Sequence, residues 1–128
     1  MKFLAGFMTL LVAALHFGFL VLEMFFWDHP IGHKIFSMTE EVAKSSEVLA
    51  MNQGLYNGLL GLGLLVGLIT GNQTLKVFLL TCIVIAGIFG GLTAKTSILY
   101  IQALPAFITL LLVIKSKRRR AGEQRLFS

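Results

Sequence analysis

Two ionisable side chains, His16 and Glu23, lie inside the long apolar segment at the start of the chain. An ionisable group in a membrane segment is costly to keep from water, so it indicates a functional site. The two residues are seven positions apart. That spacing is two helical turns, so they share nearly one face at a separation of roughly 10 Å along the axis. We therefore expect no direct contact, and a third side chain or a water molecule must link them.

A second group of polar side chains opens a later apolar segment. Gln53, Tyr56 and Asn57 have the spacing i, i+3 and i+4, which places them on one face of a helix. A side-chain amide both donates and accepts hydrogen bonds, so it can serve a carboxyl group in either protonation state. We expect this cluster to lie at the membrane depth of Glu23.

Gln102 and Pro105 lie in the first half of a further apolar segment. Pro105 has no N–H, so a helix leaves the carbonyl of Ile101 without its usual donor. At membrane depth such a carbonyl needs a cavity, a water molecule or a neighbour to satisfy it. An apolar cavity with a few convergent polar groups is typical of a small-molecule site. The predicted ligand-binding residues are His16, Glu23, Gln53, Tyr56, Asn57 and Gln102.

Asn57 and Gln102 are expected to form one hydrogen-bonded unit with Glu23, because burying a carboxyl alone costs several kcal/mol. Each candidate also has a purely structural interpretation. Glu23 could be solvated at the interface, and His16 could be a neutral histidine bonded across helices. The amides could simply join helices, a role worth roughly 0.6 kcal/mol for each hydrogen bond in lipid. The convergence of all these groups at one depth favours the pocket.

Membrane-spanning helices are the elements predicted to carry these residues. The chain has 128 residues, of which 56% are hydrophobic and 13% charged, with a mean hydropathy of +0.84. Soluble domains are about 45–50% apolar and about 25% charged. The composition thus excludes an ordinary soluble domain, and it leaves room for four spans of about 20 residues.

The sequence therefore predicts an all-α membrane protein, a four-transmembrane-helix up-down bundle, because the connections between the later spans are short. The transmembrane domain covers residues 1–114, and a basic tail covers residues 115–128. The predicted spans are residues 3–27, 51–70, 75–94 and 98–114.

The distribution of charge predicts the orientation of this bundle. The chain has 11 Lys and Arg residues against 6 Asp and Glu residues, and the tail after the fourth span is strongly basic. Basic segments beside spans stay in the cytoplasm. We expect a multi-pass protein of the cell membrane with both termini cytoplasmic. The other basic residues are scattered and form no patch with aromatic side chains, so nucleic-acid binding is not expected.

The first loop, residues 28–50, is external in this orientation. Ser37 followed three residues later by Glu40 fits a capping box. Met38 and Leu49 lie on the apolar face of the pattern that follows. The sequence thus predicts a short amphipathic helix that lies on the membrane.

The end of the first span has features of a membrane interface. Trp27 fits the belt of aromatic side chains at the surface of a bilayer. Pro30 and Gly32 are expected to break the helix. The nearby donors Asp28, His29 and His33 lack a further Cys or His to complete a shell. The chain has a single cysteine, Cys82, which excludes an intrachain disulfide. No metal and no cofactor are predicted.

Small residues form ridges along two of the predicted spans. In lipid, such ridges allow the close backbone approach on which helix association depends. They indicate packing within the chain, or a homodimer, because two ridges on two faces exceed what one bundle needs. The ridges are Gly54-xxx-Gly58, Gly63-xxx-Gly67-xxx-Gly71, Ala86-xxx-Gly90-xxx-Ala94 and Gly87-xxx-Gly91.

Several stretches of the chain resemble a known family. They are Leu15-His16-Phe17, Leu22-Glu23-Met24-Phe25-Phe26-Trp27, Met51-Asn52-Gln53-Gly54-Leu55-Tyr56-Asn57-Gly58, Ala86-Gly87-Ile88-Phe89-Gly90, and Gln102 with Pro105-Ala106. They resemble the small bacterial membrane proteins catalogued as domain of unknown function 1304, over nearly the whole chain before the tail. The resemblance implies a four-span integral membrane protein without an established activity. It includes the same polar residues, His16, Glu23, Asn52, Gln53, Tyr56, Asn57 and Gln102.

Three classes of function agree with these features. The first is small-molecule or proton-coupled transport or binding through an outer-leaflet polar pocket around Glu23, because a carboxyl in a bundle can exchange a proton for a ligand. The second is a non-catalytic accessory protein that binds a lipid or a partner through the glycine ridges. The third is a membrane enzyme on a lipophilic substrate, with His16 or Glu23 as acid and base. The expected partners are membrane lipids, an unidentified small molecule and a second copy of the chain.

Overall fold

The computed structural model describes the backbone of residues 1–126 and the side chains of residues 1–117. This described part of the chain is helical, which confirms the all-α class. Residues 127–128 of the predicted basic tail, and the side chains of residues 118–126, lie outside the described residues. The elements are α1 (Lys2–Phe25), α2 (Pro30–Phe36), α3 (Glu40–Ile69), α4 (Gln73–Thr93), a π-helical turn (Leu99–Ala103) and α5 (Leu104–Leu126).

The chain forms two compact units. Unit A is Ala14–Gly61, which contains the second half of α1, all of α2 and about the first three quarters of α3. Unit B comprises Met1–Ala13 and the chain from Leu62 onward. Among the predicted site residues, Gln102 belongs to unit B, and the others belong to unit A.

Three helices in the described part of the chain are long and apolar enough to cross a membrane. They are Lys2–Phe25, Gln73–Thr93 and Leu99–Lys117, and they contain most of the first, third and fourth predicted spans. The second predicted span, residues 51–70, lies almost entirely in α3. α3 as a whole is less apolar than α1 and α4, because its first turns carry Glu40, Glu41, Lys44 and Glu47 and several amides and glycines follow them.

The segment after α1 differs from the prediction. The predicted break in the helix is present but lies at residues 26–29, and Pro30 begins α2, because its fixed φ suits the first helical position and its missing N–H is not needed there. His29 caps this helix: its Nδ1 accepts a hydrogen bond from the N–H of Ile31 at 3.2 Å. Gly32, which was also expected to break the helix, lies inside α2 and is buried.

The predicted capping box at Ser37 and Glu40 is wrong. Ser37 ends α2 in a left-handed conformation with φ 54°. Thr39 caps the next helix instead, since its Oγ1 accepts a hydrogen bond from the N–H of Val42 at 3.3 Å. The residues assigned to a short amphipathic helix form the first turns of α3, which runs without a break from Glu40 to Ile69.

Trp27 joins the turn after α1 to α2 and α3 within unit A. Its indole Nε1 donates a hydrogen bond to Ser46 Oγ at 3.0 Å, and its ring lies 4.6 Å from the ring of Phe36. These contacts require α2 to fold tightly onto the turn. At Gly32 an added Cβ would lie 1.9 Å from the carbonyl oxygen of Phe26, so this close approach needs glycine.

In unit B, α4 packs against the π-helical turn and α5. The connection from α3 turns at Gly71, which has φ 65°, and Asn72 Oδ1 then caps α4 by accepting a hydrogen bond from the N–H of Leu75 at 3.0 Å. An added Cβ at Gly87 would lie 2.8 Å from the backbone nitrogen of Ala103. The Gly87-xxx-Gly91 ridge therefore contacts its own chain.

Threonine hydroxyl groups along the apolar helices form hydrogen bonds to the backbone of their own helix. Each donates a hydrogen bond to the carbonyl four residues earlier, at 2.7 or 2.8 Å. A hydroxyl bonded in this way needs no water, so it is tolerated in lipid. The residues are Thr9, Thr70, Thr81, Thr93 and Thr109.

We expect Gly32→Ala to lower the free energy of unfolding by about 1–3 kcal/mol, the usual cost of overpacking. The added Cβ would also lie 2.6 Å from the carbonyl oxygen of Trp27, so the turn must move. Because the chain has one tryptophan, fluorescence during thermal unfolding in detergent reports on this turn directly. Gly18→Ala is the matched control, since a Cβ built there meets no described atom within 4 Å. Equal stability of the two variants would contradict the packing.

Candidate functional site

The centre of the candidate site is a hydrogen bond between two helices of unit A. Asn57 Nδ2 of α3 donates to Glu23 Oε2 of α1 at 2.6 Å. Asn57 is only 4% exposed, and Glu23 is half-buried. A hydrogen bond to a carboxylate from a donor with so little water around it is among the stronger polar contacts of a protein. The contact predicted between these two residues is therefore present.

Two glycines of α3 allow the helices to approach this closely. A Cβ added to Gly54 would lie 2.7 Å from Met24 Cγ, 3.0 Å from Glu23 Cβ and 3.2 Å from the carbonyl oxygen of Leu20. A Cβ added to Gly58 would lie 2.1 Å from Leu20 Cδ1. The Gly54-xxx-Gly58 ridge thus packs against α1 of the same chain. A dimer through the glycine ridges stays a prediction.

His16 lies on α1 two turns before Glu23. Its side chain is 1% exposed, and its ring meets the ring of Phe19 edge-on at 5.6 Å. A histidine ring can both donate and accept a proton. His16 is thus held firmly in unit A, on the same helix as the carboxyl, and its part in ligand binding stays a prediction.

The other two residues of the predicted α3 cluster are oriented differently from Asn57. Gln53 is exposed, and Tyr56 is 62% exposed. The i, i+3, i+4 spacing predicts a shared face, and of its three members Asn57 is the buried one that bonds to α1. Asn52 is exposed as well, and its Nδ2 donates to the carbonyl of Val48 in its own helix at 2.9 Å.

Gln102 lies within the π-helical turn of unit B and is half-buried. Its predicted hydrogen bond to Glu23 and Asn57 stays a prediction. The N–H of Leu104 donates to the carbonyl of Leu99, one residue further back than in an α-helix. The wide turn comes directly before Pro105, which has no N–H to give. Turns of this kind are frequent at functional sites.

An apolar groove of about 440 Å³ lies beside this turn in unit B. It opens between α4 and the start of α5. Its lining is almost wholly hydrocarbon, with one phenol ring, so it suits an apolar group rather than a polar ligand. The lining residues are Val84, Ile88, Leu99, Tyr100, Ala103, Leu104 and Phe107.

The Glu23–Asn57 pair can exist in two hydrogen-bonded states. With the carboxyl ionised, the amide N–H donates to it, as observed. With the carboxyl protonated, its O–H can donate to the amide oxygen after the amide turns over. The pair therefore offers a hydrogen bond in either protonation state of the carboxyl.

Charged groups at the start of α3 are paired at the surface. Lys44 Nζ donates a hydrogen bond to Glu40 one turn away, which lowers the pKa of the Glu40 carboxyl from 4.5 and raises the pKa of the Lys44 amine from 10.5. The stabilisation from Glu40 is present above its ordinary pKa and is lost as the pH falls through the lowered value. That from Lys44 is lost as the pH rises through its raised value.

A second polar pair is formed by Asp28 Oδ1 and His33 Nε2, 2.9 Å apart. His33 lies in α2, so the contact joins this helix to the turn before it. Among residues 1–117, no group of three His, Cys, Asp or Glu side chains could hold a metal ion.

Sequence reasoning did not single out Leu20 and Met24, which form the surface of α1 that meets the two glycines. Their spacing of four from each other, beside Glu23, marks the face of α1 that carries the carboxyl. It also missed Ser46 as the partner of Trp27. A half-buried indole needs an acceptor, and the polar side of α3 offers one.

Comparisons with known proteins agree on one family. The family described as "Protein of unknown function (DUF1304)" matches residues 10–114. The "Uncharacterized protein YpaA" of Lactococcus lactis subsp. lactis (strain IL1403) is 34% identical over 115 residues, which cover 87% of this chain and 97% of that protein. No solved structure matches the chain. The matched region contains every predicted site residue.

We expect Gly54→Ala to destabilise the protein more than Gly58→Ala. At Gly54 the new methyl group meets the backbone of Leu20, which cannot rotate away, so the cost should reach about 1–3 kcal/mol. At Gly58 it meets the end of the Leu20 side chain, which can adopt another rotamer. Thermal unfolding of both variants in the same detergent measures the order. The reverse order would contradict the observed contact between α1 and α3.

Proposed function

The chain belongs to the family described as "Protein of unknown function (DUF1304)", and on that premise we propose a four-span integral membrane protein that binds a small molecule or a proton at the Glu23–Asn57 pair. α3 supplies the second of the four spans in chain order. Its residues 51–69 would cover roughly 28 Å, close to the ~30 Å hydrocarbon core of a bilayer. The protein would act in small-molecule or proton-coupled transport.

The charge distribution supports an orientation with both termini in the cytoplasm. Six basic residues follow Ile114, with Glu123 as the acid among them. The connection between α1 and the proposed second span carries Asp28, Glu40, Glu41 and Glu47 against Lys34 and Lys44. Basic segments remain cytoplasmic, so this acidic connection would be external.

The observation that carries the proposed site is the 2.6 Å hydrogen bond from Asn57 to Glu23. Glu23 belongs to a helix that is apolar enough to span a membrane. A carboxyl in such a helix costs free energy to keep from water, so it is found mainly where it has a function. One amide partner leaves lone pairs of the carboxyl available to a proton or to a donor group of a ligand. Ligand binding and protonation would then compete for the same oxygen atoms.

A non-catalytic accessory role is the second candidate. It is favoured by the exposure of Gln53 and Tyr56, because polar and aromatic groups on an outer face of a span suit contact with a lipid or a partner protein. In this case the Glu23–Asn57 pair would hold α1 and α3 together, and its exchange of protons would have no ligand linked to it.

Cysteine labelling tests the orientation. On a Cys82→Ala background, Ser45→Cys should react with a membrane-impermeant maleimide in intact cells. Thr70→Cys, an exposed position in the α3–α4 connection, should react only after the membrane is opened. Labelling of Ser45→Cys that also requires opening would contradict the proposed topology.

Co-purification tests the site. The protein is purified from its native membrane, and the small molecules that remain bound are identified by mass spectrometry. We expect wild type and Asn52→Ala to retain the same molecule, and Glu23→Gln to lose it. Asn52 is the matched control because its amide lies in the same helix but bonds only to that helix in the described structure.

Calorimetric titration of the recovered molecule then counts protons. Binding measured in two buffers with different ionisation enthalpies should show proton uptake or release in wild type and none in Glu23→Gln. Retention of the same molecule by Glu23→Gln, with equal affinity, would contradict the proposed site. If the wild-type protein binds the molecule without taking up or releasing protons, the proposed binding site stands and proton coupling is excluded.

A further inference from the structure

The whole net charge of the protein comes from its last residues. The chain carries 11 basic and 6 acidic residues, a formal charge of +5. After Ile114, six basic residues and one acidic residue give 6 − 1 = +5, and the rest of the chain balances at 5 − 5 = 0. The basic residues are Lys115, Lys117, Arg118, Arg119, Arg120 and Arg125.

This charge begins directly where an apolar helix ends. α5 continues through Ile114 to Leu126 without a break, so Lys115 to Arg120 follow the apolar segment within roughly 9 Å along the axis. A headgroup layer is about 5–8 Å thick, the difference between the ~30 Å core and the 40–45 Å bilayer, shared between two faces. The backbone of this basic stretch therefore lies at the level of the lipid phosphates when the apolar part of α5 is in the core.

The start of the tail is also held against the body of unit B. Lys117 Nζ lies 3.5 Å from Thr74 Oγ1 in the first turn of α4, and Lys115 and Lys117 are exposed. The α4 N-terminus carries partial positive charge from its N–H groups. Lys2 starts α1 in the same unit, and Gly6 of that helix approaches Leu68, near the start of the α3–α4 connection. Positive groups thus collect at one end of unit B.

We propose that this basic end of unit B binds the headgroups of anionic phospholipids. Charge complementarity selects the partner: the helix places four consecutive basic residues, Lys117 to Arg120, at the depth of the lipid phosphates. A surface for nucleic acid would be expected to interleave aromatic side chains with its basic residues, and Lys115 to Arg120 include none.

Matched lipids test this proposal on the full chain. Dioleoylphosphatidylglycerol and dioleoylphosphatidylcholine have the same tails, so their difference reports the headgroup. We expect the anionic lipid to raise the unfolding midpoint of the detergent-solubilised protein more, and to be retained more in native mass spectrometry. In Arg118→Gln/Arg119→Gln/Arg120→Gln, the lipid concentration for half of the effect should rise at least about tenfold, since each cation near the surface contributes roughly fivefold.

The control variant removes the same charge elsewhere, by Lys34→Gln, Lys44→Gln and Lys95→Gln together, and should keep the lipid preference. Equal stabilisation by both lipids, or a preference that survives in the triple arginine variant, would overturn the proposal. Equal stabilisation by a short single-stranded oligonucleotide would assign the end to polyanions in general and overturn it as well. If the arginine variant does not fold, the wild-type preference at about 1 M salt decides, because salt must abolish a charge-based preference.

Discussion

The close approach of α1 and α3 in unit A is the contact on which the candidate site depends. A Cβ at position 54 would lie 3.2 Å from the carbonyl oxygen of Leu20. Because Gly54 has no Cβ, the helices can pack closely enough for Asn57 Nδ2 to lie 2.6 Å from Glu23 Oε2. Lipid tails are as apolar as leucine, so little hydrophobic force joins helices in a membrane. Under the proposed four-span topology, close packing and a polar contact between helices must supply the attraction, and in unit A the two occur one turn apart.

The second constraint is that backbone and side-chain polar groups must be satisfied where no water is present. The threonines do this within their own helices, and Asn57 and Glu23 do it for each other. Pro105 is an exception, because it removes a donor from the middle of an apolar helix. A π-helical turn lies directly before Pro105 and changes the hydrogen-bond pattern of the backbone there. The irregular backbone thus lies beside α4, in the part of unit B that carries the apolar groove and Gln102.

The sequence predicted what depends on composition and on spacing within one helix. The apolar spans near residues 3–27, 75–94 and 98–114 follow from hydropathy, and the pairing of Asn57 with Glu23 follows from the need of a buried carboxyl for a partner. The connection after α1 was predicted poorly, because Pro30 suits a helix start as well as a break and Ser37 suits a C-terminal turn as well as an N-cap. Local residue preferences do not distinguish these conformations. The observed one brings Trp27 into contact with Phe36 and Ser46, which lie further along the chain. Tyr56 is exposed because the side of α3 that packs against α1 is centred nearer Asn57. Helical periodicity alone does not specify where that side is centred.

A double-mutant cycle on Glu23→Leu and Asn57→Leu measures the energetic coupling between these two side chains. The free energy of unfolding is measured in lipid bicelles for wild type, both single variants and the double variant, so that the cycle isolates the pair from the effects of each substitution. The hydrogen bond between Asn57 and Glu23 should give a coupling energy of about 0.5–1.7 kcal/mol, the range found for hydrogen bonds between membrane helices. Single substitutions whose effects add to within about 0.3 kcal/mol would contradict it, because independent side chains cannot form the site around which the function is proposed.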